Sequence, residues 1–173
     1  MQKTRIFLIG YMGSGKTTYG KLMAKELNLS FIDLDDYIEN KYARTVSSMF
    51  DEFGESGFRK IERDSLHEVA QMDDCLIATG GGTPCFFENV EFMNSMGETI
   101  YLRTSVRELR DRLKMSRTKR PLLSHKTDEE LESNIAEMLD KREKFYMKAK
   151  FILDTDDLNP NNLMSCYQAM NEV

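Results

Sequence analysis

The stretch Gly10-Tyr11-Met12-Gly13-Ser14-Gly15-Lys16-Thr17 decides the fold, because it matches the pattern G-x-x-x-x-G-K-[ST] of a phosphate-binding loop. An apolar run, Arg5–Ile9, ends directly before it, as a buried parallel strand does, and a helical pattern runs from Thr18 to Leu27 after it. Strand, glycine loop and helix together form the context that this motif requires. Its glycines let the backbone take positive φ and bring N–H groups close to an anion. The motif therefore predicts a site for a nucleoside triphosphate.

The residues of this loop have predicted roles toward the nucleotide. The ammonium group of Lys16 reaches the β- and γ-phosphates, and the hydroxyl of Thr17 binds Mg²⁺. An ordinary glycine turn between a strand and a helix is the disfavoured alternative. The predicted nucleotide-binding residues of the loop are Gly13, Ser14, Gly15, Lys16, Thr17 and Thr18.

Length, charge and cysteine content narrow the class of protein. The 173 residues fit one domain, 1–173, at roughly 100–200 residues per domain. No apolar run approaches the roughly 20 residues of a membrane span, so we expect no membrane partner. The net charge of −5 disfavours a general nucleic-acid binder. Three widely spaced cysteines without a C-x-x-C pattern argue against a disulfide framework or a zinc site and favour a reducing cytoplasm.

One segment departs from the acidic balance of the chain. Between Arg103 and Arg120 lie eight basic residues against only Glu108 and Asp111. An RNA-binding patch is one interpretation, but no aromatic residue is interleaved to stack on bases. A basic rim around a polyanionic nucleotide explains the segment more economically, so we expect no nucleic-acid partner.

Strand-like and helix-like patterns alternate along the whole chain. This alternation predicts a parallel sheet with helices on both faces, a three-layer α/β/α arrangement. The best helix signal is the capping box Thr127-x-x-Glu130. The polar stretch 114–126 has no clear periodicity, and we predict that it forms a mobile lid. The five apolar, strand-like runs are Ile6–Ile9, Phe31–Leu34, Cys75–Ala78, Thr99–Leu102 and Phe151–Leu153.

Acidic residues follow the second apolar run, where the carboxyl end of a strand faces the predicted nucleotide cleft. Alternation along the strand sends Asp33 and Asp35 to the same side. One carboxylate is then available for the Mg²⁺ shell and the other for a hydroxyl of the substrate. Capping of the next helix is the alternative for these acids, and we assign that role to Asp36.

Three successive glycines follow the third apolar run, in Thr79-Gly80-Gly81-Gly82-Thr83-Pro84. Such a run costs backbone entropy and gives up side-chain packing. Three successive glycines are expected where backbone N–H groups must approach a ligand closely. A bare loop without a ligand is the alternative.

Two arginines are candidates for binding a small anionic substrate. Arg142 lies on the apolar stripe of the helix that begins at Thr127, where a charge is costly unless it is paired. Arg59 is expected at the head of a helix, with Glu62 one helical turn later to orient it. Together the two guanidinium groups could clamp a carboxylate through bidentate hydrogen bonds. Pairing of Arg142 with a structural carboxylate is the alternative.

Taken in order, these elements resemble the shikimate kinase family from about Thr4 to Pro160. The phosphate loop is shared by many families, whereas the rest of the set is specific. That set is Phe31-x-Asp33-x-Asp35, Gly54-Glu55-x-x-Phe58-Arg59-x-x-Glu62, Gly80-Gly81-Gly82, Arg120-Pro121-Leu122-Leu123 and Arg142. The resemblance implies a nucleoside-monophosphate-kinase-like P-loop fold with five parallel strands. It also implies transfer of the γ-phosphoryl group of ATP, with Mg²⁺, to the 3-hydroxyl of shikimate in aromatic amino-acid biosynthesis.

The resemblance implies a role for each candidate residue of the acceptor site. Asp35 binds the acceptor hydroxyls and could act as the base, while Asp33 supports Mg²⁺, mainly through water, beside Thr17. Arg59 and Arg142 clamp the shikimate carboxylate. The rest of the pocket consists of the backbone at Gly80, Gly81 and Gly82 and the apolar side chains of Phe50 and Phe58.

For the transfer itself, the resemblance implies that Lys16 spans the phosphates while Arg120 moves in with the lid to neutralise the transferring phosphoryl group. Arg112 is the candidate for stacking on the adenine, with Arg110 as its rival. The turn from Asp156 to Pro160 is expected to cover the other side of the base.

Two rival functions are compatible with parts of this pattern. A gluconate-kinase-like small-molecule kinase on the same fold would also bind ATP and an acidic polyol. A regulatory ATP-binding module that switches without turnover is the alternative from another class, and the presence of Asp33, Asp35 and Arg120 disfavours it. The habit of the family suggests a monomer in the cytoplasm, with ATP and shikimate as its small-molecule partners.

Overall fold

A single parallel sheet forms the centre of the molecule, of which the computed structural model describes residues 4–116 and 127–171. The strands are β1 (Arg5–Ile9), β2 (Ser30–Asp33), β3 (Cys75–Ala78), β4 (Glu98–Arg103) and β5 (Phe151–Asp154). They lie in the order β2-β3-β1-β4-β5, and every neighbouring pair is parallel. The predicted five-stranded parallel sheet is confirmed, because each strand lies within one residue of its predicted bounds.

Apolar clusters on both faces of the sheet attach the helices to it. The helices are α1 (Lys16–Glu26), α2 (Leu34–Tyr42), α3 (Val46–Val69), α4 (Asn89–Met96), α5 (Val106–Ser116), α6 (Asp128–Tyr146) and α7 (Leu163–Asn171), with a short 3-10 helix at Thr83–Cys85. Along β1, Ile6 and Leu8 belong to one cluster and Phe7 and Ile9 to the other, all four fully buried. Each such side chain contributes about 1.5–3 kcal/mol on burial, so both faces require helices. The three-layer α/β/α arrangement is confirmed.

Helix α6, which carries Arg142, begins at the predicted capping box. The Thr127 hydroxyl accepts the backbone N–H of Glu130 at 3.2 Å, and the Glu130 carboxylate accepts the backbone N–H of Thr127 at 2.8 Å. Such caps stabilise a helix start by about 1 kcal/mol. The cap therefore fixes where α6 begins.

Helix α3 is bent at Gly54, which adopts φ 66° and ψ 175°. A left-handed φ strains residues that carry a Cβ atom, which explains glycine at this bend. The helix starts at Val46, where the Thr45 side chain accepts the backbone N–H of Ser48 at 3.2 Å. We expected Arg59 at the head of a helix; it lies instead inside α3, in the limb that follows the bend.

The boundary between β2 and α2 differs from the prediction. The strand ends at Asp33 rather than at Leu34, because the Asp33 carboxylate caps α2 by accepting the backbone N–H of Asp35 at 3.2 Å. The cap was assigned to Asp36, which lies in the first turn of the helix instead. Asp35 is therefore a helix residue, and the argument from strand alternation was wrong for it.

The segment predicted to form a lid, 114–126, lies only partly within the described residues. Residues 114–116 form the end of α5, whereas 117–126, including Arg120, lie outside the described residues. No helix in the two described segments combines the length and the apolar character needed to span a membrane.

Candidate active site

A cavity of about 920 Å³ opens at the carboxyl ends of β1, β2 and β3. Ligands of parallel α/β sheets bind at this edge, because loops and helix N-termini meet there. The phosphate loop, both acids that follow β2 and part of the glycine triplet share this one cavity. Its lining consists of Met12, Gly13, Gly15, Lys16, Thr17, Thr18, Tyr19, Asp33, Asp35, Thr79, Gly80, Gly81, Arg112 and Leu113.

The phosphate loop owes its shape to glycines with positive φ. Gly13 has φ 83° and Gly15 has φ 97°, a conformation that L side chains rarely adopt. A Cβ atom at Gly15 would also lie 2.7 Å from the Tyr19 ring, so both backbone and space demand glycine. Ser14 lies fully buried in the loop, and its backbone N–H donates to the Tyr11 carbonyl at 3.1 Å. The loop thus curves around the start of α1, whose N-terminus attracts anions.

Lys16 points into the cavity and contacts the loop itself. Its Nζ donates to the carbonyl oxygens of Gly10 at 2.8 Å and Tyr11 at 2.9 Å. Burial lowers the pKa of Lys16 to about 8, although the carboxylates of Asp35 and Asp33 oppose that shift. A polyanion in the cavity would favour the charged form of this lysine.

Asp33 and Thr17 place two oxygen ligands side by side. The Thr17 hydroxyl donates to the Asp33 Oδ2 atom at 2.8 Å, and both residues line the cavity. Mg²⁺ prefers oxygen ligands and is usually held through one or two protein groups together with phosphates and water. This pair of oxygens fits such a site, since the cavity leaves room for the other ligands.

Asp35 carries the strongest electrostatic signature of a functional carboxylate. Burial, together with the neighbouring carboxylates of Asp33 and Glu62, raises the pKa of Asp35 to about 6 against the opposing charge of Lys16. Its Oδ1 atom lies 3.2 Å from the position that a Cβ atom at Gly80 would take. Carboxyls with such shifts inside a cavity are candidates for acid–base work near neutral pH.

Arg59 is held rigidly behind the cavity. Its guanidinium is buried and donates to Glu62 at 2.8 Å and to Glu55 at 3.3 Å. The Phe86 ring lies 4.4 Å from the guanidinium carbon, and the rings of Phe50 and Phe58 lie at 5.5 and 5.6 Å. Among the described residues, Arg59 Nε has no hydrogen-bond partner. The predicted orientation of Arg59 by Glu62 is present, and the guanidinium retains a free donor.

The three glycines of the triplet are needed because there is no room for side chains, not because of their backbone conformation. None of the three has positive φ. A Cβ atom at Gly82 would overlap the Arg59 guanidinium, and one at Gly80 would lie 2.9 Å from the Glu62 carboxylate. The loop therefore packs its bare backbone directly against charged side chains. This packing explains the glycines without reference to a ligand, and the approach of their backbone N–H groups to a ligand stays a prediction.

Arg142 lies half-buried on α6, with its guanidinium carbon 5.8 Å from the centre of the Tyr11 ring. Within the described segments, no carboxylate lies at ion-pair distance from it, so the structural partner considered above is not found there. The guanidinium groups of the two arginines lie beside neighbouring residues of the glycine triplet. A Cβ atom at Gly81 would be 3.5 Å from that of Arg142, and one at Gly82 would overlap that of Arg59.

Arg112 and Arg110 have different surroundings. Arg112 lines the cavity and donates to the carbonyl oxygens of Ser14 at 3.2 Å and Thr155 at 2.9 Å. Arg110 pairs instead with Asp111 at 2.8 Å and with Glu132 at 2.6 Å. Of the two candidates for the adenine contact, Arg112 lines the cavity and Arg110 does not.

The basic segment of α5 is largely neutralised by carboxylates. Glu108 binds Arg112 at 2.7 Å, and Asp128 binds Lys114 at 2.5 Å. At the preceding strand, Asp154 binds Arg103 at 2.5 Å. These pairs leave less free positive charge for nucleic-acid phosphates than the sequence suggested.

Three residues that the sequence analysis did not single out support the site. The Phe86 ring stacks on Arg59, as described above. The Tyr19 hydroxyl donates to the Leu158 carbonyl at 2.8 Å and ties α1 to the predicted adenine-covering turn. The Tyr146 hydroxyl donates to the Gly81 carbonyl at 2.6 Å. No local sequence pattern predicts these contacts, because the partners of Tyr19 and Tyr146 are distant in sequence.

Comparison with known proteins agrees with this geometry. The family model "Shikimate kinase" matches residues 12–171. A shikimate kinase of Parabacteroides distasonis is 55% identical over 154 residues, 89% of each chain. The crystal structure of a shikimate kinase from Bacteroides thetaiotaomicron has 46% identity and a TM-score of 0.91, covering 99% of this chain and 98% of its own. A shikimate kinase from Acinetobacter baumannii, solved in complex with shikimate, has 31% identity and a TM-score of 0.86, covering 99% of this chain and 94% of its own.

Proposed function

Because the chain belongs to the shikimate kinase family, it transfers the γ-phosphoryl group of ATP to the 3-hydroxyl of shikimate, and we propose that its cavity divides this reaction between a nucleotide subsite and an acceptor subsite. The products are shikimate 3-phosphate and ADP, in the pathway to the aromatic amino acids, and Mg²⁺ is the cofactor. The observation that supports this division is that Lys16 and Asp35 line one cavity, while the guanidinium groups of Arg59 and Arg142 lie against the glycine triplet at its edge.

The nucleotide subsite consists of the phosphate loop and the residues around it. Backbone N–H groups from Gly13 to Thr18 and the N-terminus of α1 receive the phosphates, and Lys16 spans them. Thr17 and, mainly through water, Asp33 would hold Mg²⁺, which would supply positive charge against the phosphate oxygens. Arg112 stacks on the adenine from the side of β5.

The acceptor subsite lies between Asp35 and the glycine triplet. Arg59 and Arg142 bind the carboxylate of shikimate, since guanidinium groups match carboxylate geometry. Their different surroundings suggest different tasks: Arg59 is fixed by ion pairs, whereas Arg142 has no carboxylate partner in the described segments. The remaining contacts come from the backbone at Gly80, Gly81 and Gly82 and from the rings of Phe50 and Phe58.

Transfer requires alignment and neutralisation of charge more than covalent chemistry. The Asp35 carboxylate accepts a hydrogen bond from the 3-hydroxyl and aims its oxygen at the γ-phosphorus. It takes up the proton as the new O–P bond forms and the bond from the γ-phosphorus to the bridging oxygen breaks, which leaves that oxygen on ADP. Lys16 stays with the phosphates, and Arg120, by its place in the motif Arg120-Pro121-Leu122-Leu123, neutralises the phosphoryl group in transit. Exclusion of water protects ATP from hydrolysis.

The pKa values of two groups predict a bell-shaped pH profile. Asp35, with a pKa raised to about 6, is active as a carboxylate, so the rate falls as pH drops below that value. Lys16, with a pKa lowered to about 8, is active as an ammonium group, so the rate falls as pH rises above it. Rates measured with both substrates far below KM report the free enzyme, and we expect a maximum between these two pH values. An acidic limb that persists unchanged in Asp35→Asn would contradict the assignment.

The chain is expected to act as a monomer in the cytoplasm, without nucleic-acid or membrane partners. Every side chain assigned to the two subsites comes from one chain, so the site needs no second copy. Cys75, Cys85 and Cys166 are free thiols, which suits the reducing compartment where ATP is abundant. Light scattering of the purified protein tests the monomer.

A further inference from the structure

Tyr146, the last residue of α6, is fully buried although it carries a hydroxyl. That hydroxyl donates to the backbone carbonyl of Gly81 at 2.6 Å, across 65 residues of sequence. The Tyr101 ring packs beside it, with ring centres 5.1 Å apart and planes tilted by 34°. Burial raises the pKa of the Tyr146 hydroxyl, so it remains a proton donor throughout the working pH range.

Arg142 lies one helical turn before Tyr146, on the same face of α6. This spacing brings the guanidinium of Arg142 near the Tyr146 hydroxyl, and its positive charge opposes the effect of burial on the Tyr146 pKa. The same guanidinium also lies beside the glycine triplet, since a Cβ atom at Gly81 would be 3.5 Å from it. The Tyr146 hydroxyl, the Gly81 carbonyl and the Arg142 guanidinium therefore form one cluster.

An arginine that no carboxylate holds must be ordered by other groups before it can bind an anion at low entropic cost. A long side chain loses up to about 2 kcal/mol of rotamer entropy when it is fixed. A group that fixes the arginine side chain in advance improves affinity, because the rotamer entropy is then already lost before the ligand binds. In the described part of the chain, the neutral hydroxyl of Tyr146 is the polar group that both adjoins Arg142 and bonds the glycine loop.

We propose that Tyr146 is a positioning residue for the acceptor carboxylate, which sets the spacing between the Gly81 backbone and the Arg142 guanidinium. The proposal rests on the proposed role of Arg142 in carboxylate binding. It assigns Tyr146 no part in the chemistry of transfer. Loss of the hydroxyl should therefore weaken shikimate binding and leave kcat and the KM for ATP unchanged.

The test is Tyr146→Phe, which keeps the packing of the ring and removes only the hydroxyl. We expect the KM for shikimate to rise by about three- to tenfold, the usual effect of one lost hydrogen bond. Tyr101→Phe is the matched control: it removes a hydroxyl from the neighbouring ring, whose contact is with Glu143 at 3.5 Å. The thermal unfolding midpoints of both variants show how much each substitution destabilises the fold. Of the two variants, only Tyr146→Phe should change the KM for shikimate.

A double-mutant cycle with Arg142→Met separates the two proposals. If Tyr146 acts through Arg142, Tyr146→Phe has no further effect on the KM for shikimate in the Arg142→Met background. An unchanged KM in Tyr146→Phe, or an equal rise in both backgrounds, overturns the positioning role. Failure of Arg142→Met alone to raise the KM for shikimate overturns the proposed role of Arg142 as well.

Discussion

Replacement of Asp35 by Asn is expected to lower kcat by about 10²–10⁴-fold while ATP binds as in the unaltered protein. Asparagine matches aspartate in size and keeps hydrogen-bonding capacity, but it cannot accept a proton from the 3-hydroxyl or carry charge. The nucleotide subsite is built from other residues, so its affinity should not change. Release of ADP in a coupled assay gives kcat, and calorimetric titration gives the dissociation constant of ATP.

The matched control for this variant is Asp36→Asn. Asp36 is the next residue of α2, also acidic but exposed to solvent, so its replacement tests the loss of a nearby negative charge without touching the cavity. Its kcat should equal that of the unaltered chain. Near-normal turnover in Asp35→Asn would exclude Asp35 as base or positioning carboxylate.

The second large effect is expected for Arg59→Leu, which should cost both stability and substrate binding. Removal of Arg59 leaves the carboxylate of Glu62 buried with only the Thr83 hydroxyl, at 2.6 Å, as its remaining partner among the hydrogen bonds described. Breaking a buried ion pair in this way costs about 3–5 kcal/mol. Urea denaturation measures the free energy of unfolding, and the KM for shikimate should rise in whatever protein remains folded.

Arg142→Leu provides the contrast. Arg142 is half-buried and unpaired with any carboxylate in the described segments, so its removal strands no buried charge. We expect the KM for shikimate to rise while the free energy of unfolding changes by less than about 1 kcal/mol.

In the Arg59→Leu background, Glu62→Gln should restore part of the lost stability. Equal stability of Arg59→Leu and the unaltered chain would show that the Arg59–Glu62 pair is not structurally important.

The parts of the fold that were predictable from sequence are those with local causes. The phosphate loop combines a glycine spacing with a strand and a helix that adjoin it, and the capping box at Thr127 spans only four residues. The pairing of Arg59 with Glu62 follows from their separation by one helical turn. Each of these features can be recognised within a short window of the chain.

The parts that were missed depend on where distant segments meet. Asp35 was placed on a strand, because its spacing from Asp33 fits period two; the strand ends early once Asp33 turns its carboxylate back to cap α2. The contact of Tyr146 with Gly81 joins residues 65 positions apart. The choice between Arg112 and Arg110 depended on the packing of α5 against its neighbours, which spacing along one helix does not determine.

The relatives of this chain support neither of the two rival functions, a gluconate-kinase-like enzyme or an ATP-binding switch without turnover. Relatives 55% and 47% identical to this chain are shikimate kinases, and they match it over 89% and 98% of its length. Neither a gluconate-kinase-like enzyme nor a switch without turnover is suggested by these relatives. Paired guanidinium groups at Arg59 and Arg142 would suit a carboxylate on a small acceptor, but gluconate carries one as well, so the relatives and not the arginines separate the two kinases.

Release of ADP from Mg-ATP, measured with shikimate, quinate, gluconate or no acceptor, tests the central claim most directly. We expect rapid release with shikimate and little with the other acceptors, because only shikimate should place its carboxylate at the arginines and its 3-hydroxyl at Asp35 together. Release that is equally fast with gluconate, or independent of any acceptor, would contradict the acceptor subsite described here.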